Sequence, residues 1–171
     1  MTRARIVLGL DPGSRRTGFG LLASGPDGIE RIASGEVRLD TERAFAERLP
    51  ELREKLLRLL REHRPHEAAM ETCFVARSVR AALVLGHVRG VLLLLCLESG
   101  LDVFEYAPAE IKRAVTGNGS ASKTQVARML PRLMIGPPAS PTEDEADALA
   151  AAYCHLVRPA IARAKPLRGI P

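Results

Sequence analysis

The chain has few aromatic residues and few cysteines. It has 171 residues with no tryptophan, two tyrosines and four phenylalanines, so a ring placed outside the core would be informative. Its three cysteines, Cys73, Cys96 and Cys154, are an odd number without a paired C-x-x-C spacing. This pattern argues against a disulfide framework and against a zinc site. It indicates a reducing compartment in which the cysteines serve packing.

Long hydrophobic runs are also scarce. Arg3 and Arg5 are followed by only five apolar residues before Asp11, so we predict no signal peptide. The most apolar stretch, residues 81–97, is interrupted by a histidine and an arginine and is short for a membrane span. We therefore predict a cytoplasmic protein with no membrane partner.

Positive charge is in modest excess, with 25 Lys and Arg against 20 Asp and Glu and a net charge of +5. That balance favours a phosphate-rich partner, although net charge is evidence about binding partners and not about the fold. A hydrophobic share of 46% and the chain length are typical of one globular domain. We place that domain at residues 1–157 and predict a basic, disordered tail at 158–171.

The segment at residues 5–13, RIVLGLDPG, is a short apolar run that ends at an acid and is then broken by Pro and Gly. It predicts a strand that is buried on both faces and ends at Asp11. A carboxylate held at a strand end suits a hard metal ion or a reacting group. Asp also starts turns before Pro and Gly, so these residues alone leave both interpretations open.

Two further strands are predicted at 17–24 and 29–39, and the short turn between them gives an antiparallel meander. Leucines that recur every three or four residues predict an amphipathic helix over 44–64. Pro50 either kinks this helix or delays its well-formed part to near Leu49. Residues 66–71 then predict a buried strand that, like the first, ends in an acid, Glu71.

Residues 77–99 predict a long helix that is apolar almost all round, so more than one side of it must be covered. Gly86 and Gly90 leave room for another backbone on one face. We predict a homodimer that pairs through this helix at Leu83, Gly86, His87 and Gly90. The alternative is that the helix is the central core helix of a monomer.

The last third of the chain predicts one strand and three helices. The strand covers 102–106, Pro108 begins a helix that carries Lys112, and Ser122 caps a helix that carries Lys123, after a loop at 117–120. Prolines exclude a helix between 135 and 141. A capping box of Thr142 and Glu145 opens the final helix, which runs to residue 157.

The final helix contains the second pair of candidate acids. Asp144 and Asp147 are three residues apart and therefore lie on one face. Acids in a first turn are favoured by the helix dipole alone, but Asp147 lies among alanines, where a carboxylate is costly unless it is paired or bound to metal. Glu143, four residues before Asp147, is the alternative partner to Asp144.

With Asp11 and Glu71, this makes four carboxylates and no matching His or Cys cluster. All-oxygen ligation suits Mg²⁺ or Mn²⁺ rather than zinc. Two such ions can bind one phosphodiester and activate a water.

Six motifs in order give the chain a family likeness: LGLDPGSRRTGFG, METCFVARS, LGHVRG, VFEYAP, IKRAVTGNGSASKTQV and EADALAAAYCH. Together they resemble the RuvC family of bacterial Holliday-junction resolvases, in the ribonuclease H-like superfamily. The resemblance implies an α/β fold with a five-stranded mixed sheet, three strands antiparallel and then two parallel, flanked by helices. It implies a homodimer that makes paired nicks in strands of like polarity at a four-way DNA junction, with RuvA and RuvB as partners.

The resemblance also implies a role for each matching residue. The metal ligands for two Mg²⁺ or Mn²⁺ ions would be Asp11, Glu71, Asp144 and Asp147. Lys112 and Lys123 would contact the DNA backbone near the scissile phosphate, and Lys123 would also offset transition-state charge. Phe74 would stack on bases at the junction centre, with Arg77 as a further DNA contact; the alternative is that Phe74 is a core residue.

Other functions are compatible with parts of the sequence. Residues 117–124, GNGSASKT, nearly match a P-loop, but Ser122 replaces the required glycine and the preceding run predicts a helix instead of a strand. The opening DPGSRRTG is similar to the phosphate loop of actin-like ATPases and sugar kinases, which need two such domains. A junction-binding scaffold that does not cleave, and a related nuclease acting on another nucleic acid, are the remaining alternatives.

Overall fold

The structure is a computed structural model that describes residues 4–72, 78–136, 140–158 and 166–167. Its strands are β1 Arg5–Asp11, β2 Arg16–Gly25, β3 Gly28–Arg38, β4 Glu67–Glu71 and β5 Asp102–Tyr106. Its helices are α1 Phe45–His63, α2 Val79–Glu98, α3 Pro108–Thr116, α4 Lys123–Leu133 and α5 Glu143–Val157. The predictions for Cys73, Phe74, Arg77 and most of the tail lie outside the described residues.

The five strands form one mixed sheet in the order β3-β2-β1-β4-β5. Strand β1 pairs antiparallel with β2, and β2 pairs antiparallel with β3 across a tight turn. Strand β4 lies parallel to β1 on its other side, and β5 lies parallel to β4. The predicted meander followed by two parallel strands is confirmed, with strand ends that differ from the prediction by about one residue.

Helices cover both faces of the sheet because the central strands are apolar on both sides. On one face, Leu8 and Leu10 of β1 pack in a core with the leucines of α1 and α2. On the other face, Val7 of β1 and Ala69 of β4 pack in a second core with α3, α4 and α5. Strand β1 is therefore buried on both faces, as its unbroken apolar run predicts.

Helix α1 begins at Phe45 and runs through Pro50, so of the two alternatives for Pro50 the later start near Leu49 is wrong. The burial of four leucines on one side of the helix explains why it tolerates the proline, since packing can outweigh one missing backbone hydrogen bond. The helix ends at His63, where Arg64 adopts a left-handed conformation (φ 46°) and donates its backbone N–H to the Leu60 carbonyl.

Helix α2 is buried along only one side. Val88, Leu92, Leu95 and Cys96 lie in the core, whereas Leu83 is 61% exposed. The described residues therefore cover one side of α2 and leave an apolar side exposed.

In the described part of the chain, α2 is the one helix long and apolar enough to span a membrane, and 22% of its apolar window is buried. A helix that packs against another subunit has the same length and composition.

Helix α5 lies directly on the centre of the sheet. A Cβ atom added at Gly9 would lie 1.9 Å from the Ala148 carbonyl oxygen, and one added at Gly18 would lie 2.0 Å from the Asp144 carbonyl oxygen. Both distances are far below van der Waals contact, so only glycine fits under this helix. The approach fixes the first turn of α5 above the end of β1, because Gly18 is the cross-strand partner of Asp11.

Candidate active site

Asp11 and Glu71 project from the same face of the sheet. Side chains alternate along a strand, so Asp11 shares a face with Val7 and Gly9, and Glu71 shares a face with Ala69. That is the face that α5 covers. The parallel register pairs Leu10 with Met70, so the two acids follow at neighbouring positions where β1 and β4 end.

Helix α5 adds acids from above this point. Thr142 caps the helix: its hydroxyl accepts the Glu145 backbone N–H, and the Glu145 carboxylate accepts the Thr142 N–H in return. The cap sets where the first turn begins, and Gly18 lets that turn rest on β2. Asp144 and Asp147 are therefore held at the same end of the sheet as Asp11 and Glu71.

The four carboxylates are close enough to perturb one another. The pKa of Asp11 is raised from 3.8 to about 7, first by burial and then by the negative charges of Asp147 and Asp144, with Glu71 adding to the effect and Lys123 opposing it. The pKa of Glu71 is raised by burial and then by the charge of Asp147. Acids from β1, β4 and α5 thus share one electrostatic environment.

Asp144 and Glu143 differ in their surroundings. Burial raises the pKa of Asp144, and the Asp144 charge in turn acts on Asp11. The Glu143 side chain is 69% exposed and pairs with Lys123 at 2.9 Å. These differences favour Asp144 over Glu143 as the partner of Asp147.

Two cations neutralise the acids contributed by α5. The ammonium of Lys123 donates to Asp147 Oδ2 at 2.6 Å, and the Nε of Arg16 lies 2.7 Å from Asp144 Oδ2. Burial disfavours the charge on Lys123, but its hydrogen bonds to Asp147 and Glu143 outweigh burial and raise its pKa above the usual value. Lys112 on α3 is near enough for its charge to lower the pKa of Glu71.

The donor chemistry of this cluster suits a divalent cation. Within the described residues, no three Asp, Glu, His or Cys side chains are grouped to hold an ion as they stand. Asp144 and Asp147 instead bond Arg16 and Lys123. Four carboxylates still make an all-oxygen donor set of the kind that Mg²⁺ and Mn²⁺ prefer. A cation there would relieve the repulsion that adds to burial in raising the pKa of Asp11.

Two arginines beside the acids were missed from the sequence. Arg16 at the start of β2 pairs with Asp144, and no local pattern distinguishes it from its neighbour Arg15. Arg89 on α2 donates to the Glu71 carbonyl oxygen at 2.9 Å and forms an ion pair with Glu105 of β5. Its side chain is only 16% exposed. The sequence did offer one signal for Arg89, which is an arginine within the apolar stretch of a predicted helix. A charge buried there needs polar partners.

The remaining predicted site residues divide into two groups. Phe74 and Arg77 lie outside the described residues. Leu83, Gly86, His87 and Gly90 line an open apolar groove on α2, together with Leu94 and three other residues.

Comparison with known proteins places this geometry in a family. The family described as Crossover junction endodeoxyribonuclease RuvC matches residues 7–155. The crossover junction endodeoxyribonuclease RuvC of Halorhodospira halophila is 48% identical over 155 residues, which cover 91% of this chain and 90% of that protein. The RuvC of Chlorobaculum parvum is 46% identical over 153 residues, covering 90% of this chain and 82% of that protein.

Solved structures agree with the sequence matches. Thermus thermophilus RuvC in complex with a Holliday junction substrate superposes with a TM-score of 0.87 at 31% identity, covering 95% of this chain and 99% of that one. The yeast mitochondrial Holliday junction resolvase Ydc2 shares the fold, with a TM-score of 0.66 at 15% identity over 86% of this chain and 76% of that one. With acids from β1, β4 and α5 meeting at one end of a five-stranded mixed sheet, the chain belongs to the RuvC family of crossover junction endodeoxyribonucleases.

Proposed function

We propose that this protein is a divalent-metal-dependent endonuclease that resolves four-way DNA junctions by paired, symmetric nicks in strands of like polarity. The observation that carries the proposal is that acids drawn from β1, β4 and α5 meet at one end of the sheet, where burial and then the charges of Asp147 and Asp144 raise the pKa of Asp11 to about 7. Family membership supplies the substrate, since a relative with 31% identity is solved with a Holliday junction.

The four acids would hold the metal. We assign Asp11, Glu71, Asp144 and Asp147 as ligands of Mg²⁺ or Mn²⁺, with two ions per site. When bound, such ions bind the scissile phosphodiester, activate a water and stabilise the leaving oxygen. The strand ends hold the backbone of Asp11 and Glu71 in place, and the cap of α5 holds Asp144 and Asp147 above them. To ligate the ions, Asp144 and Asp147 would exchange their contacts with Arg16 and Lys123 for contacts with metal.

The basic residues around the acids would position the DNA. Lys123 would contact the phosphate next to the cleaved bond and offset transition-state charge; its hydrogen bond to Asp147, at 2.6 Å, supports this role because it keeps the ammonium beside the acids. Lys112 would hold the backbone nearby, and Phe74 and Arg77 would contact the junction centre. Each of these contacts is a proposal carried by the family motifs.

Pairing through α2 would supply the second active site. The exposed groove on α2 has a volume of about 540 Å³ and is lined by Leu83, Gly86, His87 and Gly90. A Cβ added at Gly86 or Gly90 would meet nothing within 4 Å among the described residues, so nothing in one described chain requires glycine there. A second copy is the occupant we propose, because a junction cut once is not resolved. RuvA and RuvB would be further partners, in the cytoplasm.

The test is cleavage of a synthetic four-way junction by the purified protein with Mg²⁺ or Mn²⁺. We expect two nicks at symmetric positions, with 5′-phosphate and 3′-hydroxyl ends that a ligase can seal. A linear duplex and an RNA–DNA hybrid of the same sequence should remain intact. Binding without nicks would favour the scaffold alternative, and preferential cutting of the hybrid would favour a related nuclease acting on another nucleic acid.

A further inference from the structure

The surface that follows Glu110, formed by the rest of α3, the loop after it and α4, has charged residues of one sign only. Between Glu110 and Glu143 the chain has no acidic residue and five basic ones, which are Lys112, Arg113, Lys123, Arg128 and Arg132. The surface of this segment is therefore more strongly basic than the net charge of +5 for the whole chain suggests. Such a local concentration of positive charge attracts polyanions.

A groove on this surface lies between the C-terminal end of α3 and one side of α4. Its volume is about 310 Å³, and its polar lining is Thr116, Asn118, Gln125, Arg128 and Arg132. Thr116 and Gln125 are already engaged: the Thr116 hydroxyl donates to backbone carbonyls, and the Gln125 amide oxygen accepts the Ser122 N–H. The donors left to a ligand are the amide N–H groups of Asn118 and Gln125 and the two guanidinium groups, and only the guanidinium groups carry positive charge.

Arg128 and Arg132 have no carboxylate within ion-pair distance among the described residues, in contrast to Arg16 and Arg89. They are four residues apart on α4 and therefore lie on the same side of the helix. Guanidinium groups have a planar fork of donors that matches the oxygens of a phosphate. Two of them beside one groove make a site for a phosphate group.

The groove is separate from the contact assigned to Lys123. Arg128 follows Lys123 by five residues, which is about 7.5 Å along the helix axis and about 140° around it. Arg132 is about 13.5 Å from Lys123 along the axis. A phosphate in the groove is therefore a different phosphate from the one beside the catalytic acids.

We propose that this groove binds a backbone phosphate of the DNA arm that flanks the cleavage point, with Arg128 and Arg132 as its ligands. The inference rests on the proposed function, because the DNA arm is part of the junction. A DNA backbone is the favoured occupant because its charge repeats along the strand, and the segment between Glu110 and Glu143 has basic residues and no acidic ones. The groove is open to solvent at the surface, so a DNA strand could run across it.

The experiment measures junction affinity as a function of salt. A fluorescent four-way junction is titrated with protein in EDTA at several salt concentrations, for the wild type and for the double variant Arg128→Gln/Arg132→Gln. The slope of log K against log salt should become less steep by about 0.9 for each phosphate that the variant no longer neutralises. The decrease in affinity should be equal for junctions of different sequence, because an interaction with a phosphate does not read bases.

Two further variants sharpen the result. Arg58→Gln/Arg61→Gln removes the same charge from exposed positions on α1, on the opposite face of the sheet, and should leave the slope unchanged. Arg128→Lys/Arg132→Lys keeps the charge and should restore the slope. Thermal unfolding should be the same for all four proteins, since these side chains are exposed.

An unchanged slope in Arg128→Gln/Arg132→Gln, or an equal change in the α1 control, would overturn the inference. A nicking assay on the wild type distinguishes a wrong groove assignment from a wrong proposed function. A wild type that binds and nicks the junction, with an unaffected double variant, contradicts only the groove assignment. A wild type that does not bind the junction contradicts the proposed function and the groove together.

Discussion

Asp11 is the side chain most strongly affected by its surroundings at the proposed catalytic site. It combines burial with three neighbouring negative charges, which the single positive charge of Lys123 offsets only in part. Replacing one carboxylate by an amide removes a charge and changes little else in size. The acids can therefore be tested one at a time.

We expect Asp11→Asn and Asp147→Asn each to reduce junction cleavage by more than about 100-fold, the order of magnitude for losing one well-placed electrostatic group. Junction binding in EDTA should stay within a few-fold of wild type, because neither change removes a cation. Glu143→Gln is the matched control, since Glu143 is exposed, and it should keep most of the activity. Wild-type nicking by Asp11→Asn would contradict the ligand assignment.

A second charged cluster lies near the opposite ends of β1 and β4. His155 is fully buried, with its Nε2 3.0 Å from Glu67 Oε2 and its Nδ1 2.6 Å from the Tyr106 hydroxyl. Arg5 forms an ion pair with Glu67. Burial opposes the charge on Glu67, but the hydrogen bonds from His155 and Arg5 outweigh it and lower the pKa of Glu67 from 4.5 to about 2.

This shift predicts acid sensitivity. A carboxylate whose pKa is lower in the folded state stabilises that state above its unfolded pKa, and the contribution disappears as pH falls from about 4.5 towards 2. The difference in free energy of unfolding between wild type and Glu67→Gln should therefore shrink by about 1 kcal/mol between pH 6 and pH 3, allowing for solvent screening. Urea unfolding at both pH values measures it. Glu98→Gln, at an exposed surface pair, should show no such change, and a Glu67→Gln difference that stays constant with pH would contradict the role of this carboxylate.

Helix α5 depends on the glycines beneath it. Gly9 and Gly18 leave space for the backbone of the helix at Ala148 and Asp144. Because Asp144 is itself an assigned ligand, the position of the helix and the shape of the acid cluster are coupled.

Gly18→Ala should therefore harm both stability and chemistry. The added methyl would lie 2.0 Å from the Asp144 carbonyl oxygen, so the helix must move, at a cost of about 1–3 kcal/mol. The rate of junction cleavage should also fall at a temperature where the variant is fully folded, so that unfolding cannot account for the loss. Gly25→Ala, in the same strand, is the control: an added methyl there would lie 3.6 Å from the Gly28 carbonyl oxygen, an ordinary contact, and should change stability little. Unimpaired cleavage by Gly18→Ala would argue against the coupling.

Arg89 connects three elements, since it lies on α2, donates to the last residue of β4 and pairs with β5. Arg89→Ala should destabilise the fold by about 2–3 kcal/mol, because it leaves Glu105 without its cation in a partly buried place. Adding Glu105→Gln should recover part of that stability, whereas cleavage should remain low because the Glu71 carbonyl is still unsupported. Chemical denaturation and nicking assays of the single and double variants measure the coupling. Full recovery of cleavage in the double variant would show that only the ion pair matters.

The exposed apolar side of α2 bears on the assembly. Of six large exposed hydrophobic side chains in the described residues, three belong to α2: Val79, Leu83 and Leu94. Because side chains on one helix surface repeat every three or four residues, Leu83, Gly86, Gly90 and Leu94 form one stripe. A second copy of the chain would cover this stripe, and the resulting dimer would contain two acid clusters.

If the protein pairs as proposed, Leu83→Glu should convert the proposed dimer into a monomer, since a desolvated charge in the interface is costly. Sedimentation measures the mass, and the variant should make single nicks in place of paired ones. Ile32→Glu introduces the same charge at an exposed apolar residue on β3 and should leave the oligomeric state unchanged. A Leu83→Glu protein that remains dimeric would exclude pairing through this stripe.

Local patterns predicted most of the architecture. The apolar run before Asp11, the turn at residues 25–28 and the capping box at Thr142 each depend on neighbouring residues, and each is confirmed. The later start of α1 was wrong because burial of its leucines outweighed the effect of Pro50. Arg16 and Arg89 were missed because their partners, Asp144 and the Glu71 carbonyl, are distant in sequence.

Spacing along the chain was enough to establish the elements, the family and the four acids as candidates. It could not show that Asp11 and Glu71 face α5, that Asp144 is less exposed than Glu143, or that two arginines share a groove free of carboxylates among the residues described. Those relations are set by strand register and by the glycines that admit α5. They depend on distances between segments that are far apart in the chain, and such distances exist only once the sheet has formed.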